Sequence, residues 1–261
     1  MIPIDSLSFR SGLREVNVGE KAAFAGISLI LCVAGRSILA SAYVAAVMGA
    51  VTVRWGGVPA KMYLRLLAIP FGFLMMNALV MGFVVSRTPM EAVAVPVGGW
   101  YLTAGRETLF YALRMWAAAM AGVSCLYFLA CTTPAGDLLA FLERLGLPGL
   151  ILQLTALIYR FIFLLLDRAY AMDRAQKSRL GNRDYRTALK SFGAMAASLL
   201  AGSMHRSKAL YDAMEARCYE GSLHLLALRR PVKWQRAVGI AVFELLLCLI
   251  LLAERRSGWG M

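Results

Sequence analysis

Apolar runs close to the thickness of a lipid bilayer dominate this chain. Residues 64–85 and 108–130 are long enough to cross, 37–53 nearly so, and 236–253 follows a polar interval. The run at 21–35 is shorter, and its helix is expected to begin near Val16. A crossing helix needs roughly 20 residues for about 30 Å of hydrocarbon. In that layer only helices and closed barrels keep every backbone polar group paired. Of the 261 residues, 60% are hydrophobic and 16% charged, against roughly half apolar in a soluble domain. The reading is an all-α integral membrane protein. The first twenty residues carry Asp5, Arg10, Arg14, Glu15 and Glu20, which do not suit a cleaved signal peptide, so the first apolar helix is expected to act as an uncleaved anchor.

Charge placement orders the runs across the membrane. The net charge is +13, and residues 171–235 hold 12 Lys and Arg against 5 Asp and Glu, a local excess of +7. In membrane proteins such an excess marks loops on the cytosolic side. No nucleic-acid partner is therefore expected. Four spans, beginning from a cytosolic N-terminus, return the chain to the cytosol at Cys131, so the basic block starts on the correct side. A further span at 150–166 would carry it outside. The sequence thus predicts that 150–166 does not cross and is buried by protein. Gln153, Arg160 and Asp167, seven apart, form one polar line on that helix. The expected organisation is residues 1–130 with spans 1–4, residues 131–235 as a cytosolic-side coupling domain of about three helices, and residues 236–261 with the last of about five spans and an external C-terminus.

The first helix of the middle segment is amphipathic. In "TTPAGDLLAFLERLGLP", Thr133 is the expected N-cap, Pro134 the first helical residue, and Asp137 lies near the positive end. Leu138, Leu139, Phe141, Leu142 and Leu145 form its apolar face, and Gly146 and Pro148 end it.

Enzyme motifs are missing: no Walker A pattern, GxSxG, HExxH or GxGxxG occurs. His205 and His224 are isolated. Cys32, Cys125, Cys131, Cys218 and Cys248 are scattered and read as small buried hydrophobes. Glu244 and Arg114, inside apolar runs, are expected to face neighbouring helices. Neither catalytic nor metal-binding residues are expected, nor any cofactor.

Two arginines in the basic block are left unabsorbed. Arg179 lies in "RAQKSRLGNRDY" and Arg217 in "YDAMEARCYEG". Each closes a helical pattern, is followed by a glycine (Gly181 or Gly221), and lacks an acid three or four residues before it.

Together, the segments "CTTPAGDLLAFLERLGLPGLILQLTALIYRFIFLLLDRAYAMDRAQKSRLG" and "YDAMEARCYEGSLHLL" resemble the transmembrane (T) component of energy-coupling-factor transporters. The start, "IDSLSFRSGLREVNVGEKAAF", is similar to the cobalt-type CbiQ subgroup rather than the vitamin subgroup. The resemblance implies a non-enzymatic scaffold of a bacterial or archaeal plasma membrane. It would couple two ABC ATPase subunits, which bind the ATP, to a substrate-binding integral membrane subunit that takes up cobalt or nickel. It further implies that two Ala-Arg-Gly motifs dock into the ATPases. Ser178, Arg179 and Gly181 belong to the first motif, and Ala216, Arg217 and Gly221 to the second. Leu180 and Cys218 stand where the motif glycines usually are. The alternatives are a T component for a vitamin, a self-contained secondary transporter, which would need midplane polar sites and usually a repeat, and a membrane enzyme.

Overall fold

The computed structural model describes residues 3–82, 84–86, 94–97, 100–103, 105–219, 221, 230–231 and 233–256; Glu220 and His224 lie outside them. Its helices are α1 Pro3–Arg10, α2 Val18–Gly35, α3 Ile38–Arg54, α4 Ala60–Gly82, α5 Arg106–Thr132, α6 Ala135–Arg144, α7 Gly149–Ser178, α8 Tyr185–Glu215 and α9 Trp234–Arg256. A small antiparallel sheet lies between α4 and α5, where the sequence suggested only a loop. Its strands, β1 Val84–Ser86, β2 Ala94–Val97 and β3 Trp100–Thr103, run in the order β1-β3-β2. Val85 and Val95 both pair with Leu102.

Two compact units divide the chain. One comprises Ile2–Asp137 with Leu228–Met261, the other Leu138–Ala227.

In the first unit α5 packs against α1, α2, α3 and α4, and α9 closes on α2 and α3. The buried face of α5 is built from small groups: Ala112, Ala117, Ala118, Ala121, Ser124 and Cys125. Lipid is as apolar as any leucine, so helices in a bilayer gain from close approach, which small side chains permit. Larger groups fill the centre. Phe24 meets Phe128 and Phe243 edge-on at 5.5 and 5.0 Å, and Tyr43 stacks on Phe243 at 5.1 Å, geometries that suit the ring quadrupole. Glu244 of α9 faces a neighbouring helix, as expected, accepting from the Ser28 hydroxyl of α2 at 2.7 Å. Arg114 is half-buried.

Local capping explains the breaks between elements. The Asn17 side chain accepts from Gly19 N–H and starts α2. Arg36 turns into the left-handed region (φ 48°), and Ser37 then caps α3 through Ala40 N–H. Thr133 does not cap α6: its N–H ends α5 on the Leu129 carbonyl, and its buried hydroxyl has no hydrogen-bond partner among the described residues. Helix α6 begins at Ala135, after Pro134.

A polar closure holds one end of this unit. The buried Lys21 ammonium donates to the carbonyls of Leu13 at 3.2 Å and Thr132 at 2.9 Å. Asn17 Nδ2 donates to the Arg230 carbonyl at 2.8 Å, and Glu20 Oε1 accepts from Lys233 N–H at 3.1 Å. Arg230 pairs with Asp137 at 3.5 Å. The segment before α2, the end of α5 and the approach to α9 are thereby joined.

Among the described residues, five helices are long and apolar enough to cross a membrane: α2, α4, α5, the stretch Trp234–Glu254 of α9, and α7. The number is as expected, but the set differs. Helix α3, at 17 residues, is shorter, and α7 qualifies. Residues 150–166 are also not buried by this chain. Leu152 is the one buried residue of α7, while Leu150, Ile151, Leu154 and Ile158 are exposed. The reason is that α8 is the chief neighbour of α7 among the described elements, and a single neighbouring helix cannot cover a helix's whole circumference.

Candidate functional site

The second unit presents the two arginines. Helix α7 ends at Ser178, with Arg179 as its cap residue (φ −98°, ψ 17°). Arg179 N–H donates to the Gln176 carbonyl, Leu180 N–H to that of Lys177, and Gly181 N–H back to that of Gln176 at 2.8 Å. Helix α8 ends at Glu215 with the same ladder. Arg217 N–H donates to the Met214 carbonyl, Cys218 N–H to that of Glu215, and Tyr219 N–H back to that of Met214 at 3.1 Å. Each is a Schellman turn, which satisfies the last carbonyls of a helix through a residue in the left-handed region. Leu180 and Cys218 are those residues, both at φ 58°.

The backbone therefore superimposes Ser178 on Ala216, Arg179 on Arg217 and Leu180 on Cys218. It does not match Gly181 to Gly221. Gly181 is one residue beyond the left-handed position, where Tyr219 stands in the second turn. A Cβ on Gly181 would lie 2.9 Å from the Gln176 carbonyl oxygen and 3.0 Å from Ser191 Oγ. Its role is close packing: Ser191 Oγ donates to its carbonyl, and Gln176 Nε2 donates to the Ser191 carbonyl at 2.8 Å. Gly221 is exposed, at φ 85°.

Ser178, Arg179, Ala216 and Arg217 are all exposed. Neither arginine makes an ion pair among the described residues. The nearby pairs are Lys177 with Asp173 at 2.6 Å and Arg183 with Asp184 at 4.0 Å. Cys218 is exposed too, which corrects its reading as a buried hydrophobe; Cys32, Cys125 and Cys131 are buried. Of the polar line on α7, Gln153 accepts from the Tyr219 hydroxyl at 3.3 Å, while Arg160 and Asp167 are exposed. Among the described residues, no group of three or more His, Cys, Asp or Glu side chains is placed to hold a metal ion.

A leucine or cysteine at positive φ is strained, since its Cβ crowds the following carbonyl. Leu180→Gly and Cys218→Gly are each expected to stabilise the fold by on the order of 0.5 kcal/mol, strain relief exceeding the added entropy of the unfolded chain. Leu180→Val is expected to do the reverse, because a β-branched side chain tolerates positive φ worst. Thermal midpoints of the purified protein check both signs.

Helices of spanning length around a core of small side chains define a multi-pass membrane protein. The family model described as CbiQ, cobalt transport protein, matches residues 9–227. The chain belongs to that family, one of transport proteins of the inner membrane, and is a membrane component of cobalt transport. An uncharacterized protein of Methanocaldococcus jannaschii is 29% identical over 247 residues, covering 95% of this chain and 91% of that one. A putative fused cobalt transport protein CbiMQ of Methanocorpusculum labreanum is 27% identical, and covers 96% of this chain but only 42% of the fused protein. The cobalt transport protein CbiQ of Salmonella typhimurium is 29% identical over 162 residues, 62% of this chain and 72% of that one.

Proposed function

We propose that this chain is the coupling scaffold of an energy-coupling-factor importer for a cobalt or nickel ion. Arg179 and Arg217 each dock on one of two ABC ATPase subunits. ATP is bound by those subunits, and this chain needs no cofactor of its own. The observation that carries the reading is the pair of matched turns: two exposed arginines, each displayed at the same backbone position of a Schellman-ended helix. Guanidinium is a rigid, permanently charged fork suited to a carboxylate on another chain. The 31 residues of α8 separate the motifs by about 47 Å at 1.5 Å per residue. One groove cannot reach both, which favours two ATPase subunits.

The metal ion is the cargo of a separate membrane subunit. The fused relative, named CbiMQ, extends well beyond the part this chain matches, and a chain like its remainder fits the partner's role. Uncovered apolar surface fits such a partner as well. Tyr185, Leu189, Phe192, Leu200, Met204 and Tyr211 recur at helical spacing along α8 and are exposed. An apolar stripe of that length marks an interaction surface.

Co-purification tests the assembly: two ATPase subunits and one further membrane subunit should accompany the tagged chain from its native membrane. The chain purifying alone, with ATP-independent uptake in vesicles, would instead favour a self-contained transporter. Topology is tested separately. With Cys218→Ser as background, a cysteine introduced at Asn182 should react with a membrane-impermeant maleimide only after the cells are opened, as the basic block requires. Labelling from outside would refute the cytosolic placement.

A further inference from the structure

A cavity of about 610 Å³ opens at the polar-closure end of the first unit, and it does not belong to the arginine turns. Its walls come from the segment before α2, the start of α2, the end of α3, the end of α5 and the start of α9. It is graded from polar to apolar. Glu20, Lys21 and Arg236 lie at the helix ends, and Phe24, Val47, Phe128 and Phe243 lie deeper. On α9 the lining residues Arg236, Gly239, Ile240 and Phe243 form one stripe that enters the unit from its charged end. Trp55, whose amphipathic ring type favours a membrane–water interface, stands at the rim. Gly12 shapes the wall, since a Cβ there would meet the Trp55 carbonyl oxygen at 2.8 Å.

The polar end is incompletely satisfied. Glu20 is only 9% exposed, and its Oε2 is buried without a hydrogen-bond partner among the described residues. A buried carboxylate oxygen calls for a donor. Lys21 uses two of its three N–H donors on the Leu13 and Thr132 carbonyls. Arg236 is exposed at the mouth and makes no ion pair among the described residues. One unmet acceptor, cationic donors beside it and an apolar chamber behind describe a zwitterionic amphiphile whose cation carries N–H groups.

We propose that this cavity binds one phospholipid with an ethanolamine headgroup. The ammonium pairs with the Glu20 carboxylate, the phosphate lies against Arg236 and Lys21, and an acyl chain runs between Phe24, Val47 and Phe243. A choline headgroup has no N–H to give Glu20, and a glycerol headgroup brings no cation. The proposal is independent of ATPase docking.

The test is lipid retention. Delipidated protein is reconstituted in nanodiscs containing equal parts of phosphatidylethanolamine, phosphatidylcholine and phosphatidylglycerol, then released and weighed by native mass spectrometry. Wild type should retain one phosphatidylethanolamine at least about tenfold in excess of either competitor. Glu20→Gln, which keeps an acceptor but loses the charge, should abolish that preference. Gly239→Leu should abolish retention by filling the chamber; a Cβ at Gly239 meets nothing within 4 Å, so the helix itself accepts the change. Equal retention of the three lipids by wild type, or a preference for either competitor, overturns the proposal without reference to any variant. Unchanged retention in both variants overturns it as well.

Discussion

Arg217→Ala is expected to weaken retention of the ATPase subunits by about 30-fold or more, with membrane insertion and thermal midpoint unchanged. Truncating one partner of a desolvated charge pair costs roughly 2–5 kcal/mol, because the other charge is left unpaired, and each 1.4 kcal/mol is about tenfold. The midpoint should hold because Arg217 is exposed and its side chain makes no ion pair among the described residues. Arg179→Ala should behave alike, as the matched ladders require. Arg217→Lys should also be impaired, since an ammonium is a point charge and not a fork. Lys208→Ala, which removes an exposed positive charge from α8, should matter little. Measuring ATPase co-purification and metal uptake for the set separates docking from general charge. Wild-type retention in both alanine variants would leave the two turns as solvated helix ends.

The second large effect is expected at Lys21. Replacing it with methionine keeps most of the unbranched stem and removes the donors, leaving the Leu13 and Thr132 carbonyls without the ammonium that joins them. Hydrogen bonds to a charged group contribute roughly 1.5–3 kcal/mol. The thermal midpoint of the solubilised protein should fall by several degrees, and the segment before α2 should become more open to proteolysis. An unchanged midpoint and an unchanged cleavage pattern would mean that the aromatic core alone holds that end together.

How far the sequence could be read depended on whether a feature is local. The long apolar runs at α4, α5 and α9 were legible because spanning length is written into consecutive residues. The match between Arg179 and Arg217 was legible because each closes a helical pattern. The left-handed turns were less so. Leucine and cysteine carry no local signal for positive φ, and only their place in the family motif pointed to those two positions. Helix α7 misled because charge asymmetry speaks to sidedness and not to what covers a helix. The polar closure was invisible for another reason: Asn17 and Arg230 are 213 residues apart, and no periodic pattern records such a meeting. The same holds for the graded cavity, whose walls come from five separate stretches of chain.

The two arginine turns stand at opposite ends of one helix, and the hinge between α7 and α8 is stiffened by Gln176, Gly181 and Ser191. Such an element behaves as a ruler with a handle at each end. It can neither lengthen nor shorten, so bodies held at both handles cannot change their separation along it. Any relative motion of the two must therefore appear as a swing of the helix. Over about 47 Å of helix, a tilt of about 10° carries one end through about 8 Å. If the two turns dock as proposed, a small angular change at the docked subunits would arrive as a large sideways displacement of the apolar stripe that α8 presents.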